Sequence, residues 1–417
     1  MEKPNYKITK YACFYETLAG ASAFCLPPLL FATFRNMYGI SYSLLGFLVL
    51  LNFCTQLFVD LIFSFFSNKF NIHKTIRIMP ILTSIGFIVY AILPSIFPQY
   101  AYIGLVIGTL IFSVAAGLSE VLLSPLVAAL PSDNPERDMS ALHSLYAYGF
   151  VTVVIVSTLY LEFVGSKYWA FLVMFWAILP LIGAFLLFKS PMPDMSMDNE
   201  KEKNTKSKSR TKSLVLCMGC IFLGAAAECT MSNWISVYAE NALHMPKVVG
   251  DIFGMSLFAL LLGFARTAYS KFGKNIYNVL FLSMLFASMC YVIVAFSTNA
   301  IVSLIFCAML GIFTAMLWPG TLIFMEEKIP YVSVSAYALM ASGGDLGASF
   351  APQALGIVVD NVSVSEWAQN LSVKLGFTPE LIGFKVGILM AAIFPLLGVI
   401  LLLYMKKYFK KISEEWG

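Results

Sequence analysis

Charge is scarce in this chain. Only 12% of its 417 residues are Asp, Glu, Lys or Arg, against about 25% in soluble domains. Hydrophobic residues make up 59%, and the mean hydropathy of +0.81 argues against a water-soluble fold of this length. Catalytic signatures are absent as well. There is no glycine-rich P-loop, no His-Glu-x-x-His and no Gly-x-Ser-x-Gly elbow. The sequence therefore predicts no enzyme, no cofactor and no catalytic residue. The eight cysteines all fall inside apolar runs, and Cys217-Met-Gly-Cys220 has no thiolate-stabilising base beside it. These read as small membrane-helix residues, so no redox centre or metal site is expected. The net charge of +4 is no nucleic-acid footprint, because the basic residues sit in short loops between apolar runs.

What the chain does have is long apolar stretches around one polar segment. Lys189 to Ser213 carries six Lys/Arg within Lys201–Lys212 and no aromatic residue. Such a segment buries too little apolar surface to offset the entropy of ordering, so it reads as a flexible linker. A hydrocarbon core about 30 Å thick needs ~20 apolar residues per helix. On that rule spans fall near 9–35, 41–66, 76–97, 101–130, 139–162 and 168–188. Beyond the linker they fall near 213–241, 247–269, 276–297, 300–325, 334–359 and 382–405. Residues 1–188 and 213–417 thus form two six-helix bundles joined by a basic linker at 189–212. Pro27, Pro28, Pro125, Pro319 and Pro352 lie inside spans, where neighbouring helices must satisfy the freed backbone groups.

Orientation follows from the basic residues. Arg35, Lys167, Lys247, Lys374 and Lys385 fall on one side of twelve spans, leaving 27 − 5 = 22 on the side of the termini. The positive-inside rule places the N-terminus, linker and C-terminus in the cytoplasm of a multi-pass cell-membrane protein. The first apolar run is too long for a cleavable signal and carries Glu16.

The two halves echo each other. SNKFNIHKTIRI after span 2 aligns with YSKFGKNIYNVL after span 8 at an offset of 202 residues. Pro125 and Pro319 repeat at 194, and Gly149 and Gly344 at 195. Matches in sequential order at nearly constant offset predict an internal duplication with a midplane site.

Twelve spans, a basic central loop and the duplicated 2–3 and 8–9 loops resemble the major facilitator superfamily over essentially the whole chain. The resemblance implies an all-α polytopic membrane protein of twelve transmembrane helices in two pseudo-symmetric six-helix bundles. The family's loop motif survives as Ser64-Phe-Phe-Ser-Asn68-Lys69-Phe-Asn71-Ile-His73-Lys74, with Asn68 in place of the acid. Asp60, eight residues upstream, is the candidate substitute. More narrowly, GLSEVLLSPLVAALP and SGGDLGASFAPQALG resemble the fucose–proton symporter branch. In that branch the span 4 acid, here Glu120, takes part in proton coupling, and Glu16 is the one match to its span 1 acid.

An ionisable group at bilayer depth costs several kcal/mol, so each one needs a reason. Glu120, Glu228 and Asp345 lie near the middle of spans 4, 7 and 11. Glu16, Asp60 and Arg266 lie nearer the cytoplasm. Helical spacing puts Ser342, Asp345, Ser349 and Gln353 on one stripe, and Thr109, Ser113, Glu120 and Ser124 on another. Asn52, Gln56, Asp60 and Ser64 repeat every four residues. Polar stripes of this kind should face a cavity or another helix, not lipid. Expected solute contacts are Glu228, Trp234, Tyr238, Asp345, Ser349, Gln353 and Tyr146, the aromatic faces suiting a sugar or a cation. Glu120 and Asp345 are the expected proton carriers, and Asp60, Asn68, Lys69 and Arg266 the expected gating residues. The leading expectation is proton-coupled symport of a small polar solute, a sugar or sugar derivative, by a monomer, with sodium as an alternative ion. The surplus of internal acid keeps open a proton-driven efflux antiporter for organic cations or drugs. A non-transporting sensor would need a signalling module, which neither linker nor tail supplies.

Overall fold

The computed structural model describes residues 5–66, 69–132, 135–193, 208–329 and 334–416. The greater part of the basic linker, and Asn68 of the loop motif, therefore lie outside the described residues. Among those described the chain is helical, with no strand.

The first span is three helices in series: α1 (Tyr6–Gly20), α2 (Ser22–Leu29) and α3 (Phe31–Tyr38). It bends by 43° at Leu30, directly after Pro27 and Pro28, which supply no N–H to the helix. Gly39, in the left-handed region at φ 66°, closes α3. Then come α4 (Tyr42–Phe66), α5 (Ile72–Ile96), α6 (Ala101–Ala128), α7 (Pro135–Val164) and α8 (Trp169–Lys189). Asn71 caps α5, its side chain accepting from Lys74 N at 3.0 Å.

The second half opens with α9 (Lys208–Val237), which runs into a π-helical turn, Tyr238–Ala242. The short α10 (Lys247–Val249) and a second π turn, Gly250–Ser256, lead into α11 (Leu257–Phe272). Next are α12 (Ile276–Phe296), α13 (Ala300–Thr314), α14 (Pro319–Lys328) and α15 (Val334–Ser363). The loop expected beyond Asp360 holds a capped helix, α16 (Glu366–Leu375), with Ser365 Oγ accepting from Ala368 N at 3.2 Å. The last span is α17 (Pro379–Ala391) with α18 (Ile393–Trp416).

Ten of these segments are long and apolar enough to cross a membrane, and the bent pair ending at Tyr38 makes eleven. The remaining helix of spanning length is α15, 30 residues long. Its Ser342, Asp345, Ser349 and Gln353 stripe lowers its apolar content, and it is not among the ten.

The chain divides into two compact units. One holds Met1–Ile40 and Leu51–Asp198, the other Ser41–Leu50 and Asn199–Gly417. In the first unit α1, α4, α5, α6, α7 and α8 meet around Cys13, Phe63, Met79, Leu122, Leu142 and Leu187. Close helix approach recurs in each unit. A Cβ on Gly117 of α6 would lie 3.0 Å from Val59 and 3.1 Å from the Gln56 Cα of α4. Within the second unit, a Cβ on Gly311 of α13 would lie 2.2 Å from the Phe258 carbonyl of α11. Likewise a Cβ on Gly149 of α7 would lie 2.3 Å from the Leu18 carbonyl oxygen, and one on Gly347 of α15 would lie 2.1 Å from that of Phe222.

Candidate functional site

In the first unit the two polar stripes read from α4 and α6 meet. Ser113 Oγ donates to Asn52 Oδ1 at 2.7 Å, and Gln56 Nε2 donates to the same oxygen at 3.1 Å. One turn further along α4, Asp60 is 4% exposed, and one of its carboxylate oxygens lies within 4.8 Å of one from Glu120 on α6. The Glu120 side chain is exposed, so the pair combines one buried acid with one open acid. Gly117, one turn before Glu120, has no side chain to hold the helices apart at this point.

Other first-unit candidates lie apart from this pair. Tyr146 packs its ring edge-on against Phe24, with centroids 5.5 Å apart. Lys69 places its ammonium 5.0 Å from the centre of the Phe66 ring. Glu16 is 3% exposed, lies against Gly183 of α8, and its Oε2 has no hydrogen-bond partner among the described residues.

In the second unit Glu228 of α9 and Arg266 of α11 form an ion pair. Arg266 Nη2 lies 3.2 Å from Glu228 Oε1 and 3.4 Å from Oε2. Its Nε donates to the Ala315 carbonyl at 2.9 Å. Asp345 of α15 is 2% exposed. Beside it Gly344 faces the Trp318 indole so closely that a Cβ would fall 2.3 Å from Cη2. Ser349 Oγ donates to the Leu346 carbonyl at 3.0 Å. The buried Gln353 Oε1 accepts no hydrogen bond among the described residues, and it lies 3.0 Å from where a Cβ on Gly46 would stand.

Trp234 and Tyr238 are packed rather than open. Trp234, 2% exposed, donates from Nε1 to the Pro352 carbonyl at 3.0 Å. Its ring meets Tyr42 and Phe384 at centroid distances of 5.7 and 6.0 Å, and Tyr238 meets Phe384 at 5.5 Å. Around Tyr42 stands a polar ring the sequence reading did not single out. The Tyr42 hydroxyl bonds Glu380 and accepts from Asn241 at 3.0 Å. Asp360 caps α4, accepting from Tyr42 N at 3.1 Å and from Ser43 N at 2.6 Å. Lys247 bridges Glu240 and the fully buried Asp251 at 3.5 and 3.3 Å. Asp360 follows an apolar run and Lys247 precedes one, so both read as loop charges in one dimension.

A helical chain with this many helices long and apolar enough to cross a membrane is a multi-pass membrane protein. The sequence matches the family model described as Major Facilitator Superfamily over residues 12–352, and the chain belongs to that superfamily. No curated protein sequence matches it. Among solved structures it is similar to a bacterial homologue of the human lysosomal transporter Spinster, with a TM-score of 0.75 and 12% identity over 99% of each chain. A D-xylose–proton symporter gives 0.72 and 16%, covering 94% of this chain and 97% of that one. A nucleoside transporter gives 0.71 and 15%, covering 96% and 99%. These likenesses show the two-bundle fold.

Proposed function

We propose that the protein is a proton-coupled symporter of a small polar solute, with a sugar or sugar derivative as the favoured class. The observation that carries this reading is the Asp60–Glu120 pair. Two carboxylates within 4.8 Å repel unless one holds a proton or a monovalent cation sits between them. Such a pair takes up and releases a cation readily, and the open side chain of Glu120 is the natural point of exchange. Each unit also offers a buried amide oxygen with no donor among the described residues, on Gln56 and on Gln353. Acceptors left without a donor favour a solute bearing hydroxyl groups. One of the similar structures is itself a D-xylose–proton symporter, at 16% identity.

Extrusion of organic cations draws on the same internal acids. The Arg266 guanidinium already neutralises Glu228, which removes one acid from the surplus and favours symport. Asp345, Ser349 and Gln353 remain the proposed solute contacts on α15. Asp60, Lys69 and Arg266 remain the proposed gating groups.

The test is Glu120→Gln in proteoliposomes holding a proton gradient, with a panel of labelled sugars. Uphill accumulation should vanish while counterflow exchange persists. Loss of both, in a protein that still folds, would make Glu120 a binding or structural residue. Retained accumulation would remove it from coupling, and accumulation that follows sodium would change the ion.

A further inference from the structure

The ion pair in the second unit reaches further than its two partners. Span 10 is broken: α13 ends at Thr314 and α14 begins at Pro319. In an unbroken helix the Ala315 carbonyl would accept from the N–H of residue 319, and proline has none. Arg266 Nε fills that vacancy at 2.9 Å. The same guanidinium is held by both oxygens of Glu228, through Nη2. At the end of the broken turn sits Trp318, whose ring covers Gly344, the neighbour of Asp345. Leu317, within the turn, packs onto Gly224 of α9, where a Cβ would meet it at 2.7 Å.

We infer that Arg266 is a positioning residue that makes the break between α13 and α14 answer to the charge on Glu228. While Glu228 is ionised, charge-assisted bonds fix the guanidinium plane and keep Nε aimed at the Ala315 carbonyl. A proton, or the cationic group of a solute, arriving at Glu228 removes that pull. The carbonyl then loses its donor for part of the time, the turn loosens, and Trp318 is released from Gly344. Occupancy of an acid on α9 is thereby passed to the backbone beside Asp345 on α15. This inference rests on the transport reading only in giving that message a use. The chain of contacts stands without a named solute.

Hydrogen exchange on the purified full-length protein, with no solute added, tests it through the amides of residues 316, 317, 318 and 320. Arg266→Lys keeps the charge but has no planar fork to reach both partners. It should speed exchange there by about tenfold, the equivalent of one lost hydrogen bond. Glu228→Gln should speed exchange at the same amides, although Glu228 makes no bond to the turn. Pro319→Ala supplies the missing N–H, and in that background Arg266→Lys should change these amides less than twofold, roughly. Two results overturn the inference. One is unchanged exchange at the break in Arg266→Lys. The other is a Glu228→Gln protein that matches wild type there while Arg266→Lys does not, which would leave Arg266 a static clamp. If Pro319→Ala fails to fold, the Glu228→Gln comparison decides alone. None of these measurements involves Glu120, so a failed symport assignment would leave them interpretable.

Discussion

A buried indole can hold a fold together or hold a solute, and Trp234 shows how to separate the two. Its ring is enclosed by Tyr42 and Phe384, and its N–H is spent on the Pro352 carbonyl. Truncating an enclosed aromatic costs about 3–5 kcal/mol, so Trp234→Ala should lower the melting temperature markedly. Trp234→Phe should restore most of that and fall short by about 1 kcal/mol, the lost hydrogen bond. A melting temperature unchanged in Trp234→Ala, with weakened sugar binding, would return the residue to the solute site. At this scale the sequence told depth better than direction. Glu228 and Arg266 each stood out as a costly intramembrane charge, but nothing in one dimension shows that α9 and α11 turn these side chains toward each other. The four-residue spacing of Asn52, Gln56 and Asp60 did fix a face, because a single helix carries its own periodicity. The partner face on α6 was legible for the same reason.

Between elements, the duplication shows as repeated packing rather than repeated chemistry. The α4–α6 contact of Gln56 with Gly117 has its counterpart in the α11–α13 contact of Phe258 with Gly311. The offsets are 258 − 56 = 202 and 311 − 117 = 194, the values the loop repeat and the prolines gave in the sequence. Gly149 finds its structural equivalent in Gly347 and not in Gly344, which instead receives the Trp318 ring. Offset alone could not distinguish two glycines three residues apart on neighbouring parts of one helix face. Methyl groups at these crossings should be felt in both units. Gly149→Ala and Gly347→Ala each force a Cβ against a carbonyl, and overpacking of this kind costs about 1–3 kcal/mol. Thermal denaturation of the two variants should show comparable losses, and a neutral Gly347→Ala would mean that α9 and α15 can part freely. Pro27, Pro28 and Pro319 were legible as local interruptions of the backbone hydrogen bonding, although each span was read as continuous. The π turns at Tyr238–Ala242 and Gly250–Ser256 were not, since they arise from how α9 and α11 pack.

For the whole molecule, the ionisable residues within the spans break the symmetry that the packing keeps. With the offset of 194, Glu120 corresponds to Thr314, and with 202, Asp60 corresponds to Leu262. The first unit thus carries the Asp60–Glu120 acid pair and the second the Glu228–Arg266 ion pair. Which face of the membrane the loops occupy is a separate question, and it can be tested directly. The 22 to 5 division of Lys and Arg expected from the sequence predicts the α11–α12 turn inside and the α12–α13 turn outside. Both turns are described, and Lys274 and Thr298 are exposed at them, on either side of the single helix α12. Six of the eight native cysteines are buried and the other two are half-buried in α4 and α9, so the parent protein gives a low labelling background. A membrane-impermeant maleimide added to intact cells should label Thr298→Cys and leave Lys274→Cys unlabelled until the membrane is opened. The opposite pattern would invert the topology. Symport would still run in the direction of the proton gradient, and only the membrane face of the α11–α12 and α12–α13 turns would be exchanged.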